Sequence, residues 1–352
     1  MMMKSLTVDA EGRLAFAQLP IPSPSPWQAL VKMKSCGVCN GTDMKLIHKR
    51  FKGFDSYPAI LGHEGVGEVV AVGEKVQSLH VGERVLLPFL EQAVHGYTPG
   101  WGAFSEYAMV GDAQACALHG MGEGTPDFNE GYLAQTVLRP TDLVNDAQAA
   151  MIITFREVLS AIKRFGLREG MDVAVFGAGP VGLCFVRFLK LLGVRCVVSI
   201  DVEDCKVERA LRMGADIAFN SRKEDADARL TKLFPQGVDA VVDAVGINAL
   251  LNQGLRHVKY NGKVCCYGIS PQMGMELDWS QAPYNWDLHF VQWPSKREEG
   301  MAHEQIMSWI NMGALNPDDF ISHVMPFAQA MEAFAMVERH DPSVSKIVIT
   351  FD

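Results

Sequence analysis

The chain has 352 residues, 48% hydrophobic and 21% charged, with a formal net charge of −9. That length accommodates two domains, and the acidic balance argues against nucleic acid or an anionic membrane as the main partner. No apolar run reaches the ~18–20 residues that span a bilayer, and the opening Met1-Met-Met-Lys-Ser5 lacks the pattern of a secretory leader. Eight scattered cysteines read as thiols of a reducing compartment rather than a disulfide framework, so a cytoplasmic α/β protein is expected.

Residues 4–35 alternate in short apolar and polar runs broken by Leu19-Pro-Ile-Pro-Ser-Pro-Ser-Pro26, which predicts antiparallel strands joined by proline turns. Ala29–Lys34 reads as a strand leading into Ser35-Cys-Gly-Val-Cys39, and Asp43 to about Arg50 as a short helix. Gly65–Gly73 and Glu83–Leu87 read as further strands. Their spacing and glycine density predict a small barrel. Residues 111–140 read as irregular, and Pro140 to about Phe165 as a long helix capped by Asp146.

From about residue 166 the period changes. Apolar runs near 172–176, 196–200, 239–243, 263–267 and 288–292, with a weaker one near 216–219, alternate with helical stretches. Continuous apolar strands separated by helices predict a doubly wound parallel sheet. Two later helices, about 301–314 and 328–339, precede a last strand Lys346–Phe351. That tail is expected to return to the first domain. The predicted division is 1–153 completed by 294–352, and 154–293.

The turn Gly177-Ala178-Gly179-Pro180-Val181-Gly182 follows the strand Asp172–Phe176 and opens a helix. Gly177 permits the turn, Gly179 lets the backbone approach a pyrophosphate, and Gly182 lets helix and strand lie close, with the helix N-terminus facing the phosphates. The next strand ends in Asp201, a carboxylate placed to accept both hydroxyls of an adenosine ribose and to repel a 2′-phosphate. The cofactor predicted on these grounds is NAD.

A second constellation lies nearer the N-terminus. Cys39 and Gly62-His63-Glu64 offer a thiolate, an imidazole and a carboxylate, a ligand set for Zn²⁺. Cys36-Gly-Val-Cys39 is also a CxxC, but no second CxxC completes a structural zinc site, and a redox CxxC leaves His63-Glu64 unexplained.

Cys36-Gly-Val-Cys-Asn-Gly-Thr-Asp43, Gly62-His-Glu-Gly-Val-Gly-Glu-Val-Val-Ala-Val-Gly73, Val81-Gly-Glu-Arg-Val85 and the glycine turn together resemble the zinc-dependent alcohol dehydrogenase branch of the medium-chain dehydrogenase/reductase superfamily, closest in flavour to sorbitol and threonine dehydrogenases. The resemblance covers nearly the whole chain. It implies an N-terminal GroES-like β-barrel catalytic domain plus a Rossmann sheet, with the active site between them. It implies Cys39 and His63 as zinc ligands, Glu64 as a carboxylate able to enter the metal's shell, Asp43 as the group orienting the histidine, and Thr42 as the hydroxyl passing on the alcohol proton. It further implies Asp201 and Lys206 at the adenosine ribose, Gly268 and Ile269 at the nicotinamide, and Lys346 near the pyrophosphate.

Four features depart from the family pattern. The third ligand position, by counting, falls at Ile153, flanked by Ile152 and Thr154, none of them a good zinc ligand; Glu157 or Glu64 could substitute. Residues 88–115 contain no cysteine, so one catalytic ion and no structural zinc is expected. Cys39 to Thr42 carries one extra residue, and Lys45, with His48 beyond it, stands where the proton relay commonly ends in histidine. The expected activity is hydride transfer between NAD and a secondary alcohol, a polyol, cyclitol or sugar-like molecule, with the loop 91–102 and aromatics such as Trp101 as pocket candidates. A zinc-free reductase like the quinone oxidoreductases and a catalytically inactive NAD-binding protein are the alternatives. The apolar stretch Trp286–Trp293 is expected at a sheet edge and to pair copies into a homodimer or homotetramer.

Overall fold

The computed structural model describes all residues, 1–352. They form two compact units, Met1–Arg156 with Ser295–Asp352, and Glu157–Pro294. No helix is long and apolar enough to cross a membrane.

The first unit is mostly antiparallel. Its strands are β1 (Met2–Val8), β2 (Leu14–Pro20), β3 (Gln28–Gly37), β4 (Ala59–Ile60), β5 (Glu64–Val72), β6 (Arg84–Leu86), β7 (Thr98–Pro99), β8 (Tyr107–Gly111) and β9 (Thr136–Val137). Helices α1 (Asp43–Ile47), α2 (Ala113–Leu118) and α3 (Asp146–Phe165) interrupt them. The second unit alternates: β10 (Asp172–Phe176), α4 (Pro180–Leu191), β11 (Cys196–Asp201), α5 (Asp204–Arg212), β12 (Ile217–Asn220), α6 (Ala226–Leu233), β13 (Val238–Asp243), α7 (Asn248–Leu255), β14 (Val258–Cys266) and β15 (Trp286–Phe290). Then α8 (Lys296–Asn311), β16 (Ile321–Pro326), α9 (Ala330–Glu338) and β17 (Lys346–Thr350) belong to the first unit again.

In the first unit one sheet runs β2-β1-β4-β7 and another β16-β17-β3-β5-β6-β9, with β8 also on β3. The last strand, β17, is antiparallel to β3, with Val348 opposite Gly37. Alternate residues of β3, including Ala29, Val31 and Met33, are buried in a core shared with Met3, Leu6, Phe104, Phe334 and Ile347. The period-2 pattern is that of a sheet with one covered face.

In the second unit the order is β12-β11-β10-β13-β14-β15, all parallel. Every residue of β10 is buried, as a central strand with helices on both faces requires. The strand order steps outward from β10 in both directions, the doubly wound arrangement.

Some boundaries differ from those read in the sequence. The long helix starts at Asp146, and Asn145 is its cap: its Oδ1 accepts the Gln148 N–H at 2.9 Å, while the Gln148 side chain accepts the Asn145 N–H at 3.0 Å. That reciprocal pair stops the helix short of Pro140. Within the stretch read as irregular, Asp112 caps α2 by accepting the Ala115 N–H at 2.9 Å. Helix α8 begins five residues earlier than the apolar pattern suggested, because Ser295 and Glu298 form a capping box. The weak run near 216–219 is a true strand, β12.

Candidate active site

The first constellation is assembled by strand register. Gly37, the last residue of β3, pairs with Glu64, the first of β5, and with Val348 of β17. Cys39 follows β3 by two residues, His63 immediately precedes β5, and Lys346 opens β17, so all of them fall at one end of the sheet. The ligand atoms of Cys39, His63 and Glu64 lie within 4.8 Å of one another. His63 and Glu64 are buried, at 6% and 2% exposure.

Asp43 organises the cluster from the start of α1. Its Oδ1 lies 3.3 Å from His63 Nδ1 and its Oδ2 accepts the Cys39 N–H at 2.9 Å. A carboxylate beside Nδ1 favours the tautomer with the proton there, which leaves Nε2 as a ligand. The Thr42 N–H points to Cys39 Sγ at 3.4 Å, and Thr42 is buried. Burial works against a charged His63, but the Asp43 carboxylate and the Cys39 side chain outweigh it and hold the histidine well above its usual pKa.

Glu64 has two partners. Thr154 Oγ1, on α3, donates to its Oε1 at 3.0 Å, and the Lys346 ammonium forms an ion pair with its Oε2. Oε2 is buried and meets a cation already, the Lys346 ammonium. Burial opposes ionisation of Glu64, and Lys346 and His63 overcome it, keeping the carboxylate below its usual pKa. A donor set of thiol, imidazole and carboxylate fits a Zn²⁺ ion.

The structure thus brings Cys39, His63, Glu64, Asp43 and Thr42 together, and adds two residues to which sequence reasoning gave other roles. Thr154, next to the counted third-ligand position Ile153, supplies a hydroxyl to Glu64. Lys346, matched to a pyrophosphate contact, is 4% exposed and committed to Glu64, because an ammonium so buried requires a countercharge. Glu157 is not in the ligand cluster. Lys45 donates to the Gly41 carbonyl at 2.9 Å, with its pKa lowered by burial, and His48 lies 3.0 Å from Glu338. Trp101 packs on the His63 ring, with centroids 5.6 Å apart.

The second unit carries the glycine turn at the C-terminal end of β10. Gly177 has φ +96°, and a Cβ there would lie 2.6 Å from Val245 Cγ2. A Cβ at Gly182 would overlap the Gly177 carbonyl. A Cβ at Gly179 would meet nothing within 4 Å, so nothing within the chain itself demands a glycine there. Gly179 is also the N-cap of α4, has no side-chain cap, and is followed by Pro180. Open space above Gly179 beside the uncapped N–H groups of Val181 and Gly182 fits a pyrophosphate.

Asp201 Oδ2 accepts the Ala178 N–H at 2.7 Å, and Oδ1 accepts those of Val202 at 2.7 Å and Glu203 at 3.1 Å. The carboxylate therefore fastens the glycine turn to the end of β11. Lys206 reaches Glu203 at 2.7 Å. Gly268 donates to the Asp243 carbonyl at 2.9 Å, and Ile269 packs on Gly246.

A sheet end bearing a soft-metal ligand set and a doubly wound sheet bearing a dinucleotide turn define a nucleotide-dependent dehydrogenase. Residues 25–144 match the alcohol dehydrogenase GroES-like domain and residues 180–290 the zinc-binding dehydrogenase domain. The chain is 31% identical over 291 residues to an alcohol dehydrogenase of Cupriavidus necator, covering 76% of this chain and 77% of that one. It is 26% identical over 327 residues to a sorbitol dehydrogenase of Bombyx mori, covering 91% of each. A crystal structure of an alcohol dehydrogenase (rspB) from Escherichia coli CFT073, complexed with NADH, shares the fold with a TM-score of 0.78 at 24% identity over 99% of each chain. The chain belongs to the zinc-dependent alcohol dehydrogenase branch of the medium-chain dehydrogenase/reductase superfamily and is an NAD-type alcohol dehydrogenase.

Proposed function

We propose that the protein oxidises the secondary hydroxyl of a polyol, cyclitol or sugar-like alcohol, with NAD as hydride acceptor and one catalytic zinc. The observation that carries the reading is the convergence of Cys39, His63 and Glu64 within 4.8 Å. A zinc ion held there would supply Lewis acidity toward an alcohol oxygen, and bound NAD the ring that accepts the hydride. Asp43 holds the His63 ring and the Cys39 backbone in register. Thr42 would relay the hydroxyl proton, accepting it as its own hydroxyl proton passes on toward solvent, while the carbinol hydrogen leaves as hydride to the nicotinamide. Asp201 supports NAD over NADP by its charge. The polyol reading is supported by the sorbitol dehydrogenase relative, and the single ion by the absence of cysteine from residues 88–115.

Chelation tests this reading. Metal-free protein should lose NAD-dependent oxidation of secondary alcohols and regain it with stoichiometric zinc; undiminished turnover after chelation would rule the metal role out. Ile153 at the counted third-ligand position favours a second reading, a zinc-free reductase, and metal analysis of purified protein separates the two. All eight cysteines are free, which supports a cytoplasmic setting. Strand β15 lies at the edge of its sheet with Phe290 58% exposed, which supports pairing of two copies along it. A gel-filtration mass of one chain at micromolar concentration would count against the dimer.

A further inference from the structure

We infer that Thr154 and Lys346 set the metal affinity of this site in opposite directions by controlling Glu64: Thr154 orients its carboxylate toward the ion, and Lys346 competes with the ion for it. The inference rests on the reading of Cys39, His63 and Glu64 as the metal site. On His63 the charged partner, Asp43, sits at Nδ1, away from the coordinating nitrogen. Glu64 differs. Its Oε1 is occupied by the Thr154 hydroxyl at 3.0 Å, and its Oε2 is paired with the Lys346 ammonium.

The two contacts have different chemistry. A hydrogen bond on Oε1 leaves Oε2 free to coordinate and fixes the carboxylate's rotation, as partners of ligand carboxylates do. An ammonium on Oε2 occupies the coordinating oxygen itself and adds a positive charge beside a dication. The pair cannot drift apart into water, since Glu64 is 2% and Lys346 4% exposed. It lies flush against β3: a Cβ on Gly37 would meet both Glu64 Oε2 and Lys346 Cε. A zinc ion held at this site would compete with Lys346 for Glu64 Oε2, while the Thr154 bond to Oε1 could remain. Thr154 and Lys346 are positioning residues, and neither is a zinc ligand.

Zinc affinity, measured without cofactor by competition with a chromophoric chelator, tests this on the full chain. Thr154→Val should weaken zinc about tenfold, the usual cost of losing a partner of a ligand. Lys346→Met should tighten it at least about tenfold by removing a buried like charge from the ion's vicinity. Lys346→Arg, which keeps the charge, should stay near the wild type. Zinc should also raise the melting temperature of Lys346→Met more than that of the wild type. With cobalt(II) in place of zinc, the d–d bands should shift in Lys346→Met and not in Lys346→Arg. If Lys346→Met is not recovered folded, Lys346→Gln carries the same expectation. A purely structural role would destabilise both variants without moving zinc affinity in opposite directions. Equal zinc affinity in all variants, or weaker binding by Lys346→Met, overturns the inference and leaves the metal site standing. Absence of zinc binding in the wild type and every variant overturns both.

Discussion

Asp43 Oδ1 lies 3.3 Å from His63 Nδ1, and through this one contact the first turn of α1 sets the orientation of a ligand that sits just before β5. The same carboxylate takes the Cys39 N–H on its other oxygen at 2.9 Å. Asp43 is fully buried, so its charge is little screened by solvent. Asp43→Ala should free both the imidazole and the Cys39 loop and lower zinc affinity by about 10–100-fold. Asp43→Asn, which can keep one acceptor, should fall between. Zinc titration against a chelator of known affinity reads the effect; wild-type affinity in Asp43→Ala would show that the ligands are held by other means.

The glycines of the dinucleotide turn make separable predictions. A Cβ at Gly182 would overlap the Gly177 carbonyl, so Gly182→Ala should push α4 off β10 and cost about 1–3 kcal/mol of stability, the range for overpacking. A methyl group at Gly179 would have no neighbour within 4 Å, so Gly179→Ala should leave stability within about 0.5 kcal/mol. That methyl would nonetheless stand where the pyrophosphate approaches, and NADH affinity should fall at least tenfold. Melting curves with NADH fluorescence titrations separate the cases. Normal NADH binding by Gly179→Ala would remove the phosphate from this turn.

Much of this was legible because period and spacing are local. The turn 177–182 between an apolar run and a helix identified the nucleotide unit, and Gly62-His63-Glu64 with Cys39 identified the ligands. Asn145 caps the helix start through reciprocal bonds with Gln148, which no local apolar pattern reveals. Thr154 was noticed only as a poor ligand; a hydroxyl's usefulness depends on a carboxylate 90 residues away. Lys346 could not be placed without the pairing of β17 on β3, which sets its ammonium beside Glu64. Local pattern finds elements and ligand types, whereas non-local register decides who holds whom.

Asp201 combines two tasks that a substitution can pull apart. Its oxygens accept three backbone N–H groups, from Ala178, Val202 and Glu203, and its charge faces the place expected for the adenosine ribose. Asp201→Asn retains an acceptor for the turn but removes the charge. A carboxylate and a phosphate about 4 Å apart repel by roughly 1–4 kcal/mol at effective dielectric constants of 80 to 20. The ratio of kcat/KM for NADP over NAD should therefore rise about tenfold or more in Asp201→Asn. An unchanged ratio would place the discrimination elsewhere.

His303, on α8, gives a pH prediction with a defined sign. It is 3% exposed and neither ring nitrogen has a hydrogen-bond partner. Burial first, and the Arg156 guanidinium second, push its pKa down to about 4, against the opposing pull of Asp142 and Glu304. In the unfolded chain a histidine takes its proton near pH 6.5. Between those values the unfolded state binds more protons than the folded one. Stability from this residue is thus intact above about pH 6.5 and is lost as the pH falls toward 4, at up to about 1.4 kcal/mol per pH unit. His303→Leu removes the titration and an unsatisfied buried imidazole together. The variant should melt higher than the wild type at pH 5, by a wider margin than at pH 7. Melting temperatures at the two pH values decide it: equal margins would mean that His303 gains a partner on protonation or is reached by water.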